Sequence, residues 1–195
     1  MKNVKLAIVY YSQTGHNYQM ALWAKEAAEQ AGAEVRLVKV KELLELNPEN
    51  PAWVKYLEDS KDVPEATSED LLWADAIIFS SPTRFGNVAA QMKLFLDTQS
   101  KIWAEGKLTN KVVTAMTSAM NNHGGQEMTV QAIYTTMMHW GAIIVPVGYT
   151  GDAVYAAGGN PYGTSGTATH EGFANDLEGA VKHQATRLVE VAGKL

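Results

Sequence analysis

The strongest constraint on the fold of this 195-residue chain is a repeated alternation between short apolar runs and segments with helical periodicity. The first run, Lys5–Tyr10, is almost entirely apolar, which is typical of a strand buried on both faces of a sheet. Strands of this kind that alternate with helices indicate a parallel sheet covered by helices on both sides. The pattern predicts five strands, at residues 5–10, 34–40, 75–80, 111–117 and 141–147, and helices at residues 18–31, 88–103, 126–139 and 173–192.

These elements predict an α/β fold in a single domain that spans residues 1–195. Right-handed crossovers leave few topologies for five such units. We adopt the strand order 2-1-3-4-5 of the flavodoxin-like, doubly wound five-stranded parallel sheet, in which ligands bind beyond the carboxyl ends of the strands. Residues 42–67 and 149–172 fit no strand or helix pattern. We expect both to be irregular insertions that cover a site or contact another subunit.

The composition argues against several classes of binding partner and chemistry for this chain. The chain carries 16 basic and 21 acidic residues, a formal net charge of -5, and its basic residues are scattered, which argues against nucleic acid. It has no cysteine, so disulfides, thiolate metal sites and thiol nucleophiles are excluded. No apolar run approaches the roughly 18 residues of a membrane-spanning helix, and no signal-peptide pattern opens the sequence. We therefore expect a soluble cytoplasmic protein that does not insert into membranes.

Three polar, glycine-containing loops follow predicted strands at the same end of the sheet, and the first is the most informative. It offers hydroxyl and amide side chains directly before a helix, where free backbone N–H groups point outward. That arrangement binds a phosphate dianion without a lysine. The same residue types are also ordinary helix caps, so a purely structural interpretation is equally open. The residues of this first loop are Ser12, Gln13, Thr14, Gly15, His16 and Asn17.

The second and third loops favour a flat ligand. In the second loop, Phe85 and the backbone near Gly86 can line a heteroaromatic ring, and Arg84 favours negative charge on that ring. The third loop, residues 118–125, is rich in glycine and amides after a buried strand, as ligand-binding loops frequently are. An exposed turn and a plain surface connection are the structural alternatives. The second loop is Pro82, Thr83, Arg84, Phe85, Gly86 and Asn87, and the third begins with Ser118, Ala119, Met120, Asn121, Asn122, His123 and Gly124.

Several other chemistries lack their sequence motifs. The chain has no G-x-x-x-x-G-K-[ST] phosphate loop, no G-x-G-x-x-G dinucleotide fingerprint and no G-x-S-x-G nucleophile elbow. Its five histidines have no metal-ligand spacing, so no metal site is predicted. Trp103 and His139 close predicted helices, and by residue type alone each is more typical of a core or capping position.

Four motifs together resemble the WrbA family. They lie at residues 10–16, 82–87, 124–127 and 158–163, and the most specific are Thr-Arg-Phe-Gly-Asn in the second motif and Gly-x-Pro-Tyr-Gly in the last. The resemblance extends over nearly the whole chain. WrbA proteins are flavodoxin-like, FMN-dependent NAD(P)H:quinone oxidoreductases and are typically tetrameric. The resemblance therefore implies FMN as cofactor, NADH or NADPH as electron donor, a quinone-like acceptor and a homo-oligomer, either a dimer or a tetramer.

The resemblance also implies which residues contact the cofactor. Residues 12–17 would hold the FMN phosphate. Thr83, Arg84 and Phe85 would border the isoalloxazine ring, and residues 118–124 would flank its other side.

The same resemblance implies roles for two further residues, and this sequence differs from the family pattern at two places. His139 would complete the flavin pocket and, with Arg84, stabilise negative charge on the reduced ring, while Trp103 would contact the quinone. The departures concern the electron donor and acceptor. Thr14 replaces a usual aromatic residue, and residues 120–123 replace most of a Ser-Thr-Gly-Thr-Gly-Gly-Gly loop.

The leading hypothesis is therefore a two-electron oxidoreductase that works by a ping-pong mechanism, first with NAD(P)H and then with a quinone-like acceptor. A flavodoxin-type electron carrier without its own NAD(P)H turnover is the main alternative, and Thr14 favours it. The long insertions and the modest acidity oppose it, since carriers usually present a strongly acidic face to their partners. A flavin-free interaction module is the third hypothesis.

Overall fold

The computed structural model describes residues 3–195 as a mostly parallel β-sheet with helices on both faces. No helix in this range combines the length and the apolar character that crossing a membrane requires. The strands are β1 (Lys5–Tyr10), β2 (Glu34–Lys39), β3 (Ala76–Arg84), β4 (Asn87–Val88), β5 (Val112–Ala119), β6 (Ile143–Ile144), β7 (Ser165–Thr169) and β8 (Gly172–Phe173). The helices are α1 (His16–Gln30), α2 (Pro51–Asp59), α3 (Ser68–Trp73), α4 (Ala90–Asp97), α5 (Ser100–Ala104), α6 (Gln126–Trp140), α7 (Asp152–Ala156) and α8 (Glu178–Ala192).

The four long strands lie parallel in the order β2-β1-β3-β5. The register places Ile8 of β1 beside Leu37 of β2 and Ile78 of β3. The first strand therefore lies inside the sheet, between β2 and β3, and the connection from β2 to β3 passes over it. This arrangement confirms the predicted flavodoxin-like α/β fold, and it brings the carboxyl ends of β1, β3 and β5 to one edge of the sheet.

The predicted fifth strand is split in two. β6 pairs with the start of β5, whereas the end of β5 pairs with β7, on the far side of residues 145–164. Val145 N still donates to the Val113 carbonyl of β5 at 2.8 Å, but the next carbonyl in line, that of Ala115, accepts from Gln184 instead, and Gly148 turns the chain with a φ of 61°. The predicted strand at residues 141–147 is therefore too long. The sheet of the described residues has eight strands rather than five.

Both insertions that the sequence predicts to be irregular contain regular elements. In residues 42–67, Asn50 caps α2 by accepting a hydrogen bond from Trp53 N at 3.2 Å, and Pro51 occupies the start of the helix. Residues 149–172 contain α7 and β7. The prediction was wrong for α2 because proline, which usually breaks a helix, is favourable in the first helical turn.

Each face of the sheet has its own core, because alternate residues of a strand point to opposite sides. On one side Ala7 and Val9 of β1 pack with residues of α3, α4 and α6. On the other side Leu6 and Ile8 pack with residues of α1 and α8. All four side chains are fully buried. Burial on both faces explains why this strand is apolar at successive positions.

Two buried polar side chains hold the second half of the split strand against β5. Gln184 of α8 donates through Nε2 to the carbonyl of Ala115 at 2.9 Å, and its Oε1 accepts from Thr164 N at 2.7 Å. Tyr134 of α6 donates its hydroxyl to the carbonyl of Tyr162 at 2.6 Å. Burial raises the pKa of the Tyr134 phenol, so this hydroxyl keeps the proton that it donates.

We expect Tyr134→Phe to lower the free energy of unfolding by about 1–3 kcal/mol, because the carbonyl of Tyr162 loses its partner. Tyr155 of α7 is the control, because its side chain is 60% exposed and its hydroxyl can bond to water. Tyr155→Phe should therefore change stability by less than about 0.5 kcal/mol. Urea denaturation measures both variants, and an equal loss in the two would contradict the role given to Tyr134.

Candidate functional site

The loops predicted from the sequence meet at the carboxyl edge of β1, β3 and β5, where they enclose a cavity of about 70 Å³. The first loop, the end of β3 and the end of β5 form most of its wall. All lining residues except one, Ala168 of β7, are residues that the sequence predicts for the site. The lining residues are Ser12, Gln13, Thr14, His16, Asn17, Pro82, Thr83, Arg84, Ser118, Ala119, Met120 and Ala168.

The buried side chain of Asn17 holds this edge of the sheet together. Asn17 lies in the first turn of α1 and is 1% exposed. Its Nδ2 donates to Ser80 Oγ of β3 at 3.0 Å, and its Oδ1 accepts from Ser118 Oγ of β5 at 2.6 Å. An unpaired polar group would be costly at this depth. The amide therefore joins the two strands to α1.

The first loop presents backbone N–H groups at the start of α1. Gly15 is the N-cap of this 15-residue helix, and its φ of 94° is a left-handed conformation that glycine adopts without strain. Ser12 Oγ accepts a hydrogen bond from Gly15 N at 3.0 Å and shapes the turn. Within residues 3–195, no side chain caps this helix. The N–H groups of its first turn and the helix dipole can therefore bind an anion.

The second loop is a tight hairpin. β3 continues through Arg84, which pairs antiparallel with Asn87 of β4, so Phe85 and Gly86 form a two-residue turn. Both residues of the turn have positive φ, 52° and 78°, as a type I′ turn requires. Phe85 is therefore fully exposed at the hairpin tip. Phe85, Gly86 and Asn87 do not line the cavity, so their contact with a flavin stays a prediction.

A close backbone contact anchors this hairpin to α6. Gly125, the N-cap of α6, lies so near the hairpin that a Cβ atom on it would be 2.6 Å from Gly86 Cα. A larger side chain at Gly125 would push the two segments apart. Thr83 adds a hydrogen bond between its hydroxyl and that of Thr129 in α6. The hairpin that carries Arg84 is thus held at a fixed distance from the third loop.

Arg84 supplies the permanent charge of the cavity. Its Nη2 donates to Gln13 Oε1 at 3.0 Å, across the gap between the hairpin and the first loop, and its Nη1 donates to the carbonyl of Thr83 at 3.2 Å. None of the described residues that line the cavity is acidic. Because the guanidinium is exposed and has five N–H donors, it can also bind an anionic or electron-rich ligand.

Only the start of the third loop reaches the cavity. Ser118 and Ala119 are the last residues of β5, and Met120 follows at the edge of the cavity, 67% exposed. The next residues turn away, since Asn122 Oδ1 accepts a hydrogen bond from Thr167 Oγ1 at 2.8 Å. The predicted site residues that lie outside the cavity here are Asn121, Asn122, His123 and Gly124.

His139 and Trp103 lie far from the cavity of their own chain. α6 begins at Gln126 beside the third loop and ends at Trp140, about 20 Å away at 1.5 Å per residue. Near that far end, Trp103 Nε1 donates to the carbonyl of His139 at 2.9 Å, and both residues are exposed. Contrary to expectation, a single chain does not bring them into the cavity, because α6 leads away from the carboxyl edge of the sheet.

The sequence did not indicate the contribution of β7. Ala168 lines the cavity, and the carbonyl of Thr169 accepts a hydrogen bond from His16 Nε2. The β7 sequence, Ser-Gly-Thr-Ala-Thr, lacks the apolar alternation that predicts a strand. Its position depends on tertiary contacts such as Gly163 against β5, where a Cβ would be 2.1 Å from the Ala115 carbonyl oxygen. The one sequence signal near β7 is the WrbA-like motif at residues 158–163, which directly precedes this strand.

The cavity fits the phosphate end of FMN. Hydroxyl, amide and backbone donors surround it, and Arg84 adds one positive charge without an opposing carboxylate. A volume of about 70 Å³ is below the roughly 300–1,000 Å³ of typical small-molecule sites, so a flavin ring would extend beyond it toward the exposed loop tips. The fold and this cavity define a flavodoxin-like protein with a site for a phosphorylated flavin.

Comparison with known sequences agrees with this class. Residues 4–155 match the family described as NADPH-dependent FMN reductase. A Deinococcus radiodurans protein named NAD(P)H dehydrogenase (quinone) is 52% identical over 194 residues, which cover 98% of this chain and 97% of that protein. A Brucella abortus protein of the same name is 41% identical over 201 residues, which cover 98% of each chain. The chain therefore belongs to the NADPH-dependent FMN reductase family.

Solved structures agree as well. The flavodoxin, WrbA-like protein from Agrobacterium tumefaciens superimposes with a TM-score of 0.69 at 27% identity, over 98% of each chain. A flavodoxin from the domain Archaea superimposes with a TM-score of 0.59 at 16% identity, over 97% of each chain, which supports the fold alone. Together with the sequence matches, these similarities confirm the resemblance to the WrbA family.

We expect Asn17→Ala to lower the free energy of unfolding by about 2 kcal/mol, because the hydroxyls of Ser80 and Ser118 lose their buried partner. FMN affinity should fall about tenfold, since the ends of β3 and β5 are no longer held against α1. Fluorescence titration with FMN and thermal unfolding measure the two effects. Gln19→Ala, an exposed change on the same helix, should alter neither. Full FMN affinity in a destabilised Asn17→Ala protein would contradict the link between this amide and the site.

Proposed function

We propose that this protein is an FMN-dependent oxidoreductase that transfers two electrons from NAD(P)H to a quinone-like acceptor. The observation that carries the proposal is the cavity at the start of α1, where uncharged donors and Arg84 meet and where no described lining residue is acidic. Two relatives, at 52% and 41% identity over nearly the full chain, are named NAD(P)H dehydrogenase (quinone), which supports the same activity here.

The protein binds and orients the cofactor and the substrates. Bound FMN supplies the chemistry that accepts and releases a hydride. Backbone N–H groups in the first turn of α1 bind the phosphoryl group. Arg84, at the base of the hairpin turn, stabilises negative charge on the reduced ring. To do so the guanidinium gives up its bond to Gln13, which is an exposed contact and costs little to break.

We further propose that His139 and Trp103 reach the flavin from a second copy of the chain. Both are exposed and lie near the far end of α6, about 20 Å from the start of that helix. The exposed side chains of Phe85 and Met120 beside the cavity also suit an oligomer contact. In this homo-oligomer, a dimer or a tetramer, His139 of one chain faces the flavin of another and Trp103 contacts the quinone.

The proposal extends to organisation and location. We propose that residues 1–195 act as a single domain and that the protein works in the cytoplasm. A sequence without cysteine is compatible with a reducing compartment. NAD(P)H as the electron donor agrees with the same location.

Thr14 favours one alternative, an electron carrier without its own NAD(P)H turnover. The residue stands where WrbA proteins usually carry an aromatic side chain, and here its hydroxyl is 3.2 Å from His16 Nδ1. Thr14 therefore belongs to the hydrogen bonding of the first loop. The two functions differ in one measurable respect, because only the oxidoreductase consumes NAD(P)H.

The visible spectrum of protein reconstituted with FMN distinguishes these functions. We expect NADH or NADPH to bleach the flavin absorbance under anaerobic conditions, because the protein orients the nicotinamide against the ring. Benzoquinone should then restore the absorbance and be reduced in equal amount to the NAD(P)H consumed. Bound FMN that leaves NAD(P)H unoxidised would identify a carrier. A protein that does not bind FMN would contradict the whole proposal.

Mixed oligomers test the second-copy proposal. Arg84→Ala and His139→Ala should each lose about tenfold or more in turnover, since each removes stabilisation of the reduced ring. After co-refolding of the two variants, about a quarter of the sites combine an intact Arg84 with an intact His139 from another chain, so about a quarter of the turnover returns. No recovery would mean that both residues act within one chain. Arg187→Ala, a half-buried arginine on α8 that does not line the cavity, is the control and should keep full turnover.

A further inference from the structure

His16 connects the first loop to β7 through both of its ring nitrogens. Its Nε2 lies 2.9 Å from the carbonyl oxygen of Thr169, and its Nδ1 lies 3.2 Å from Thr14 Oγ1. The ring also contacts Phe173 edge-on, with ring centroids 5.3 Å apart. These three contacts hold the imidazole in one orientation. Thr14 and His16 line both the flavin cavity and a wider groove beside α1.

The proton positions in this chain of hydrogen bonds follow from the donors and acceptors. A carbonyl oxygen only accepts, so His16 Nε2 carries a proton. In a neutral imidazole Nδ1 is then an acceptor, and the Thr14 hydroxyl must donate to it. The hydroxyl proton of Thr14 is therefore engaged in the hydrogen bond to His16 Nδ1. When Nδ1 is also protonated, the imidazolium donates to Thr14 Oγ1 instead, which frees the Thr14 proton for another acceptor.

We propose that His16 takes up a proton from solvent when the FMN phosphate binds, and that the charged imidazole turns the Thr14 hydroxyl to donate to the phosphoryl group. This inference rests on the proposed FMN-dependent function. His16 is then a positioning residue, because it acts through Thr14. A phosphate dianion at the start of α1 favours the protonated ring, since opposite charges a few ångströms apart stabilise each other. The proton moves from solvent to Nδ1, and no covalent bond changes except this N–H.

The charged side chains that line the wider groove are mainly acidic. The wider groove has four acidic residues and one lysine, which is paired with one of the acids. Tyr18 and Tyr56 also line it, and burial raises the pKa of both phenols, so they stay neutral. Arg84 lines the flavin cavity, which His16 also lines. The remaining titratable residues of the groove are Lys55, Asp59, His170, Glu171, Asp176 and Glu178.

Calorimetric titration of the apoprotein with FMN, in buffers of different ionisation enthalpy, measures the proton uptake. At pH 7.5 a free imidazole is mostly neutral and a phosphate monoester is mostly a dianion, so an uptake reports on the protein. We expect a net proton uptake with FMN, and none with riboflavin, which lacks the phosphate. His16→Gln should abolish the uptake. His170→Gln, an exposed histidine on the same groove, is the matched control and should keep it.

A second measurement tests the Thr14 step. The ratio of FMN affinity to riboflavin affinity should fall about tenfold in Thr14→Val and recover in Thr14→Ser, since only a hydroxyl can donate to the phosphoryl group. FMN binding without proton uptake, or with an unchanged uptake in His16→Gln, overturns the inference and leaves the FMN-dependent function intact. An unchanged affinity ratio in Thr14→Val also overturns it. A protein that binds no FMN overturns the proposed function itself.

Discussion

The hydrogen bonds of Asn17 to Ser80 and from Ser118 tie the start of α1 to the ends of β3 and β5. Parallel strands are joined by long crossover connections rather than by tight turns, so side-chain contacts of this kind hold their ends together. Because the amide is buried and both bonds are internal, the three segments cannot separate without leaving polar groups unpaired. The relative position of α1, β3 and β5 around the cavity depends on this one side chain.

The site combines an enclosed, rigid end with an exposed edge, and this combination suits an enzyme that binds two substrates in turn. The phosphate end is enclosed, and the contact of Gly125 with Gly86 fixes the hairpin. The groups at the loop tips, Phe85 and Met120, are exposed. A cofactor held by its phosphate in the enclosed part would keep its ring at the open edge. NAD(P)H and a quinone can then approach that ring in turn, as a ping-pong mechanism requires.

Sequence reasoning was most accurate where the local chain carries the signal. Lys5–Tyr10 was recognisable because burial on both faces leaves a continuous apolar run. It was least accurate where distant contacts override the local pattern. β7 has no apolar alternation and is a strand because Gly163 and Gln184 hold its approach to β5. His139 was predicted from a family resemblance, and the structure places it near the far end of α6, outside the cavity of its own chain.

The sequence by itself determined the α/β class, the parallel strands and the chemistry of the first loop, because apolar periodicity and hydrogen-bonding side chains are local properties. Only the tertiary structure decided that the fifth strand is split, that the second loop closes as a hairpin and that the third loop turns away from the cavity. Those outcomes depend on contacts between residues far apart in the chain, such as Asn17 with Ser118 and Gly86 with Gly125. No local pattern encodes such a pair, since each residue's environment exists only after the chain has folded.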